Sequence, residues 1–291
     1  MKIGDAIKAK GSSLSFEFFP SKDMASEERL FKVVHELEDY EPTFVSVTYG
    51  AGGGTLRNTR KVVLRIKGET GLTPMPHLTC VNQSCRDLEN ILKDYKNNGV
   101  ENILALRGDP PKGNTMFEAH PEGYCYAVDL VKLIVSIGGY SIGVAVYPEG
   151  HSEAPDLETD LRYTKEKIDA GADFAITQMF FENRFYYDFL ERATKAGIKI
   201  PIIPGIMPIT DIEKIQRFSQ MTGATLPSSI VKLMELATSP EEAYKVGVEF
   251  ATKQCEDLRQ NGVKYFHFYA LNQSQPVGQI VDNLGYTKKA A

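Results

Sequence analysis

Short runs of β-branched and apolar residues recur along the chain, each followed by a longer stretch in which apolar residues return every three to four positions. The first pattern reads as a strand and the second as an amphipathic helix. Strands are predicted over residues 15–19, 44–48, 75–79, 102–107, 141–147, 174–178, 200–205 and 264–269. Helices are predicted over 26–40, 57–69, 84–97, 126–137, 157–170 and 184–196, with Gly71, Gly99, Gly138, Gly171 and Gly197 at or just past their ends. Glycines there suit left-handed helix caps. Eight strand–helix units with no linker or composition break predict an α/β fold, one (β/α)8 TIM barrel formed by residues 1–291 as a single domain. A doubly wound open sheet is the alternative. The connection between the last two strands is long and carries three further predicted helices, 211–221, 229–237 and 241–261, punctuated by Pro227 and Pro240.

Composition narrows the function. A net charge of −5 with no basic run gives no electrostatic footprint for nucleic acid. The N-terminus lacks the uninterrupted apolar core of a signal peptide, and the most apolar stretch, residues 133–147, is broken by Gly138 and Gly139 and is too short for a membrane span of ~20 residues. Four irregularly spaced cysteines, Cys80, Cys85, Cys125 and Cys255, give neither a disulfide scaffold nor zinc-ligand spacing. These features predict a cytoplasmic protein with reduced thiols, no nucleic-acid partner and no membrane partner.

In a (β/α)8 enzyme the chemistry sits at the C-terminal ends of the strands. Those ends here carry Glu17, Thr48 with Tyr49, His77 and Thr79, Arg107 and Asp109, Tyr147 and His151, Gln178, and His267 with Tyr269. Alternation along the first strand puts Ser15, Glu17 and Phe19 on one face and Phe16 and Phe18 on the other, so Glu17 is expected to point into the barrel. Burial among aromatics would raise its pKa toward that of a general acid, whereas a partner such as Arg107 would make it a structural ion pair. Arg107-Gly108-Asp109-Pro110-Pro111 is expected to form a rigid loop presenting opposite charges side by side. Two acids would also suit glycoside hydrolysis, but the chain has no tryptophan to stack a sugar. The glycine-rich run Tyr49 to Thr55 fits neither G-x-G-x-x-G nor a P-loop and reads as a βα loop over the site. His77, His151 and His267 lack the spacing of a metal site, so no metal is expected. Met179, Phe180 and Phe181 are expected to serve packing.

One motif per strand then resembles methylenetetrahydrofolate reductase. In order they are Ser15-Phe16-Glu17-Phe18-Phe19-Pro20, Phe44-Val45-Ser46-Val47-Thr48-Tyr49-Gly50, Pro76-His77-Leu78-Thr79-Cys80, Leu104-Ala105-Leu106-Arg107-Gly108-Asp109, Ala145-Val146-Tyr147-Pro148-Glu149, Ala175-Ile176-Thr177-Gln178, Ile203-Pro204-Gly205-Ile206 and Phe266-His267-Phe268-Tyr269. The match covers about residues 13–285. The resemblance implies a FAD-binding barrel that reduces 5,10-methylenetetrahydrofolate to 5-methyltetrahydrofolate, a step of one-carbon metabolism that can feed methionine synthesis. It implies that Glu17 is the general acid that opens the imidazolidine ring before hydride arrives from reduced flavin. Asp109 then tunes the flavin and stabilises the cationic intermediate, and Gln178 bonds the pterin edge. Phe218 contacts nicotinamide and folate in turn, and Tyr269 and Gln273 stand at the substrate. Thr48, His77, Arg107, Asp109, Tyr126, Ala127, Tyr147, His151, Asp160 and Lys167 fall on FAD-binding positions. Asp160 suits ribose hydroxyls and Lys167 suits pyrophosphate.

The chain departs from the family at three places. Ala270-Leu271-Asn272-Gln273 stands where bacterial members usually read Thr-Leu-Asn-Arg, which removes an arginine from the grip on the substrate's anionic tail. Tyr163 and Glu166 replace an Asn and a basic residue beside the ADP half of FAD, and a glutamate there predicts easy FAD loss unless it points outward. The expected electron donor is NADH or NADPH, and the expected partners are the folate and further copies of the chain. The alternative is a subunit of an electron-transfer complex fed by a separate donor polypeptide, since the chain has no Fe–S cysteine spacing. A lyase or aldolase would need a strand-end lysine, and only Lys264 lies in a predicted strand, at its wrong end. A non-catalytic flavin or folate binding module would make Glu17 dispensable.

Overall fold

The computed structural model describes residues 1–49, 56–110 and 117–289. The glycine-rich segment 50–55 and Pro111 lie outside these. The chain opens with a helix that the apolar periodicity did not announce, α1 (Ile3–Lys10). It is followed by β1 (Ser13–Phe18), α2 (Met24–Glu38), β2 (Phe44–Val47), α3 (Leu56–Glu69), β3 (Pro74–Thr79), α4 (Cys85–Asn97) and β4 (Asn102–Leu106). The second half runs α5 (Ala127–Ile137), β5 (Ser141–Val146), α6 (Leu157–Asp169), β6 (Phe174–Thr177), α7 (Asn183–Lys195), β7 (Ile202–Ile203) and β8 (Gly205–Ile206). Then come α8 (Ile212–Thr222), α9 (Ser228–Leu236), α10 (Pro240–Gln260), β9 (Tyr265–Tyr269) and α11 (Ser274–Asn283).

All pairings are parallel, in the order β7-β6-β5-β4-β3-β2-β1-β9-β8. The predicted seventh strand, 200–205, is two short pieces. β7 pairs with β6 and β8 with β9, and only Pro204 separates them, so together they close the ring of a TIM barrel. Proline has no N–H to donate and interrupts the ladder, while its carbonyl still accepts from His267 N–H at 3.0 Å. Gly205 is required at the closure, because a Cβ there would lie 2.5 Å from both the Thr177 carbonyl oxygen and the Tyr269 hydroxyl. The helices α8, α9 and α10 between β8 and β9 match the three predicted there.

The two ends of the barrel are built differently. At the N-terminal end α1 presses fully buried Ile3 and Ile7 against Phe44, Met75, Leu104, Phe174, Ile176 and Ile203. Polar residues at strand starts receive its free N-terminal amides: Ile3 N–H donates to Asn102 Oδ1 at 2.8 Å and Gly4 N–H to Ser141 Oγ at 3.0 Å. The larger core fills the space between strands and helices and includes Phe16 and Phe18. The outward set predicted for β1 is thus the packed set, and the opposite face is free for chemistry. Helix starts follow their capping signals, with Asp23 and Ser26 forming a reciprocal box at α2 and Ser84 with Asp87 at α4. Of the glycines expected as left-handed caps, Gly138 has positive φ but, at ψ 165°, not the left-handed helical conformation, and Gly71 departs further. It keeps out of positive φ, and its N–H donates to Glu38 Oε1 at 2.7 Å. Met179 and Phe181 are buried in a third cluster under α8 and α9, and Phe180 stacks on Tyr186 at 5.5 Å, a packing role for all three.

Candidate active site

The strand register builds the interior of the C-terminal end. On β1, Glu17 stands opposite Ser46 of β2 and Tyr269 of β9, and Ser15 opposite His267. Because inward positions recur every second residue, these side chains meet inside the ring. Glu17 is 9% exposed. Its Oε2 accepts from Ser46 Oγ at 3.2 Å, faces His267 Nε2 at 3.4 Å and lies 3.2 Å from His77 Nε2. The His77 contact is close but off the N–H axis, so that nitrogen has no hydrogen-bond partner. Burial was expected to push the Glu17 carboxyl up. It does push up, as the largest single effect, but the charges of His77 and His267 and the hydrogen bond of His267 together outweigh it and hold the carboxyl well below the ordinary carboxylate range. The raised pKa expected from the sequence is therefore reversed, because the chain supplies two histidines rather than an apolar pocket.

Tyr269 lies edge-on to His267 at 5.5 Å and donates its hydroxyl hydrogen to the Thr177 carbonyl at 2.6 Å. Burial, with Glu17 nearby, pushes its phenol far above the usual value. Burial and the Asp109 charge likewise push Tyr147 up to about 12. Both phenols therefore remain neutral donors.

Beside this cluster opens a cavity of about 590 Å³ between the ends of β4 and β5 and helices α5 and α6. Seven of the residues predicted to bind a cofactor line it: Arg107, Tyr126, Ala127, Tyr147, His151, Asp160 and Lys167. Burial draws Lys167 down to about 8, against the opposing pull of Asp160, and its ammonium donates to the Ala145 carbonyl at 2.6 Å. Burial raises Asp160 and lowers His151, the latter helped by Arg107. His151 stands edge-on to Tyr147 at 4.7 Å. Thr48 and His77 are the two remaining cofactor candidates apart from Asp109. Thr48 Oγ1, His77 Nε2 and Thr79 Oγ1 are all buried without a hydrogen-bond partner. Buried polar atoms are normally satisfied, so these groups at neighbouring strand ends suit a polar ligand.

Other candidates are placed less centrally. Among the described residues Arg107 makes no ion pair with Asp109, although the Asp109 charge acts on it. It makes a two-pronged pair with Glu153, whose Oε1 accepts at 2.7 Å, and lies 4.8 Å over the Phe117 ring. Asp109 is exposed on the loop after β4. Gly108 is needed there, since at φ +90° a Cβ would meet Thr79 at 2.9 Å. Gln178 is half-buried, its Oε1 accepting from Met179 N–H at 2.9 Å. Phe218 on α8 and Tyr269 share one apolar cluster over the mouth. Gln273 is exposed at the start of α11. Before it, Leu271 and Asn272 both adopt positive φ, and the Asn272 amide clasps the Phe19 backbone through bonds of 2.8 and 3.0 Å. Ser46 and Glu153 were missed in the sequence. Only the β1–β2 register reveals the first, and only the fold of the loop after β5 the second. Glu166 is exposed yet borders the cavity with Tyr163 and Arg162.

A larger groove of about 1040 Å³ lies outside the barrel between α2, α10 and α11, lined by residues such as Leu37, Tyr40, Tyr244 and Val248. No strand residue reaches it, so the chemistry belongs to the smaller cavity at the strand ends. Among the described residues no acidic, histidine or cysteine group could hold a metal ion, and no helix is long and apolar enough to cross a membrane.

Comparison with known proteins agrees with this geometry. The family profile of methylenetetrahydrofolate reductase matches residues 2–285. The chain is 41% identical over 274 residues to 5,10-methylenetetrahydrofolate reductase of Salmonella typhimurium, covering 94% of this chain and 90% of that one. It is 37% identical over 301 residues to methylenetetrahydrofolate reductase (NADH) 1 of Arabidopsis thaliana, covering 98% of this chain and 51% of the plant protein. Among solved structures, an uncharacterized Clostridium thermocellum protein that binds two copies of 5-methyl-5,6,7,8-tetrahydrofolic acid superposes with a TM-score of 0.65 at 12% identity, covering 96% of each chain, a likeness of fold. The chain belongs to the methylenetetrahydrofolate reductase family.

Proposed function

We propose that this protein reduces 5,10-methylenetetrahydrofolate to 5-methyltetrahydrofolate as a FAD enzyme, with NADH or NADPH as electron source. The observation that carries the reading is the buried Glu17 cluster beside a cavity lined by Arg107, Tyr126, Tyr147, His151, Asp160 and Lys167. The residues fit a dinucleotide. Asp160 is suited to ribose hydroxyls, Lys167 to pyrophosphate, and the orphaned Thr48 Oγ1, Thr79 Oγ1 and His77 Nε2 to a polar ring edge. Bound FAD would supply the hydride that the folate's methylene carbon receives.

The remaining work falls to the protein. Glu17, ionised in the free protein, takes up a proton when the folate ring binds beside it and passes it from Oε2 to the leaving nitrogen of the five-membered ring, so that the carbon–nitrogen bond can open. Tyr147 stays neutral and orients the ring system by donating a hydrogen bond, while Tyr269, its hydroxyl hydrogen given to the Thr177 carbonyl, stays neutral and borders the ring with its aromatic face. Phe218 shields the mouth from water, and Gln178 meets the pterin edge. Asp109, exposed on its loop, is free to approach the cationic intermediate. The NADH in the name of the Arabidopsis relative supports direct use of pyridine nucleotide, and the methylated folate bound by the Clostridium thermocellum protein of the same fold is in keeping with a folate ligand.

The test is the absorption of the purified protein. Flavin bands near ~450 nm that bleach anaerobically with NADH and return with methylenetetrahydrofolate are expected. No flavin after FAD addition would refute the reading. Glu17→Gln should keep the flavin bands yet slow reoxidation by the folate by about 10²–10⁴-fold. Unchanged reoxidation would remove the acid role.

A further inference from the structure

We infer that Glu149 is a positioning residue for folate reduction: by accepting from the Thr225 backbone N–H it holds α8, and with it Phe218, against the turn that carries Tyr147. The inference rests on the proposed function and deepens it.

The polar bonds of α8 are almost all its own. Its start is capped by the Asp211 side chain, which accepts from Lys214 N–H at 3.1 Å, and its end by Gly223, at φ 75°, whose N–H donates to the Ser219 carbonyl at 2.8 Å. Ile215 and Phe218 pack in the cluster that holds Met179, Phe181 and Met207, which is separate from the main core. Apolar packing is non-directional, so it sets how deep the helix sits but does little to fix its angle. Among the described residues, one group alone joins residues 211–226 to the rest of the protein by hydrogen bonds. It is the Glu149 carboxylate, 76 residues away, whose Oε1 and Oε2 accept from Thr225 N–H at 3.1 and 3.0 Å.

The anchor is itself fixed. The Pro148 carbonyl accepts from Arg192 Nη2 of α7 at 3.1 Å, and Gly150 N–H closes a turn onto the Tyr147 carbonyl at 3.0 Å. Gly150 is needed in that turn, since at φ +89° a Cβ would lie 2.8 Å from Leu157 Cδ2. Tyr147 lines the cofactor cavity, whereas Glu149 lies in a separate groove of about 620 Å³ with Gly223 and Thr225, so one turn serves both. Glu149 is half-buried and makes no ion pair among the described residues, because Arg184, whose charge acts on it, is paired with Glu182 at 2.9 Å. The carboxylate is thus committed to one backbone N–H, a charge-assisted bond stronger than a neutral one. Without it fewer molecules would present Phe218 in place, and the apparent affinity for the nicotinamide and folate that meet Phe218 would fall in proportion.

The test combines amide hydrogen exchange, read by mass spectrometry, with half-reaction kinetics of the FAD-loaded protein. Glu149→Ala should speed exchange over residues 212–225 while the rest of the barrel keeps its protection. It should raise the NADH and methylenetetrahydrofolate concentrations that give half-maximal flavin reduction and reoxidation by about tenfold, the worth of one charge-assisted hydrogen bond. Limiting rates at saturation should stay within about twofold, because binding rather than chemistry is weakened. Glu149→Gln keeps an oxygen for Thr225 N–H and should restore both readouts. In a Phe218→Ala background Glu149→Ala should add little, since it acts through Phe218. Unchanged exchange over residues 212–225 in Glu149→Ala would overturn the inference, and so would the same tenfold loss once Phe218 is gone. Should Glu149→Ala fail to fold, Thr225→Pro deletes the same donor at an exposed position, and full protection of α8 there would overturn the inference. A protein whose flavin is never reoxidised by the folate would refute the proposed function, while exchange over α8 still decides what Glu149 holds.

Discussion

At the scale of single residues, the site uses burial to set charge, and Lys167 is where that has the plainest consequence. Its ammonium, drawn down to about 8 by burial, loses its proton in the free protein above that pH. An anion such as pyrophosphate needs the protonated form, so binding takes up a proton in the window between about 8 and the ordinary lysine value near ~10.4. Affinity for FAD, or for ADP as a fragment, should therefore be level below pH 8 and fall by up to about tenfold per pH unit above it. Fluorescence titrations at a series of pH values check this. Lys167→Met should bind weakly with no such dependence, and a flat wild-type profile would mean that Lys167 does not meet the anion. The inward direction of Glu17 was legible from alternation within β1. Its proton affinity was not, because the partners that set it come from another strand, at His77 on β3, and from 250 residues away, at His267 on β9.

At the scale of elements, α6 presents Asp160, Tyr163, Thr164 and Lys167 at spacings of three, four and seven, so they lie along one helical face. Asp160, Tyr163 and Lys167 line the cavity with Glu166 beside them, and the Arg162 guanidinium lies 5.2 Å over the Tyr163 ring. Glu166 brings a negative charge to the rim where the proposed pyrophosphate would sit, which supports weak FAD retention. Glu166→Lys should keep flavin through a dialysis that strips the unmodified protein, read as the ratio of flavin to protein absorbance. Equal retention would show that Glu166 stays in solvent and out of the ligand's field. At the opposite end α1 acts as a plug. Ile7→Ala should cost about 2–5 kcal/mol in denaturant unfolding because the fully buried side chain leaves a cavity among strand residues. Flavin content at neutral pH should be unaffected, since α1 lies at the other end of the barrel from the site. The helix escaped the sequence reading because its eight residues offer little periodicity, and the cap at its N-terminus comes from Asn102 and Ser141 rather than from a neighbouring residue.

At the scale of the whole molecule, barrel closure and the site are one construction. Gly205 lets β8 approach Thr177 and Tyr269 as the ring shuts, and Tyr269 stands opposite Glu17. Gly205→Ala should destabilise the fold by about 1–3 kcal/mol and disturb folate reduction together, measured by thermal unfolding and by flavin reoxidation. A change in stability alone would mean that Tyr269 tolerates displacement. Eight strand–helix units, the inward face of β1 and the ring of polar strand ends could be read from the sequence alone, because periodicity and capping are local properties set by neighbouring residues. The sequence also carried the motifs that place the chain in its family. Only the tertiary structure decided that the seventh strand breaks at Pro204, that Arg107 pairs with Glu153, and that Glu17 is lowered by two histidines rather than raised by burial. Those outcomes depend on which strands become neighbours and in what register, and a balance between desolvation and charge is fixed only when residues distant in the chain are brought within a few ångströms.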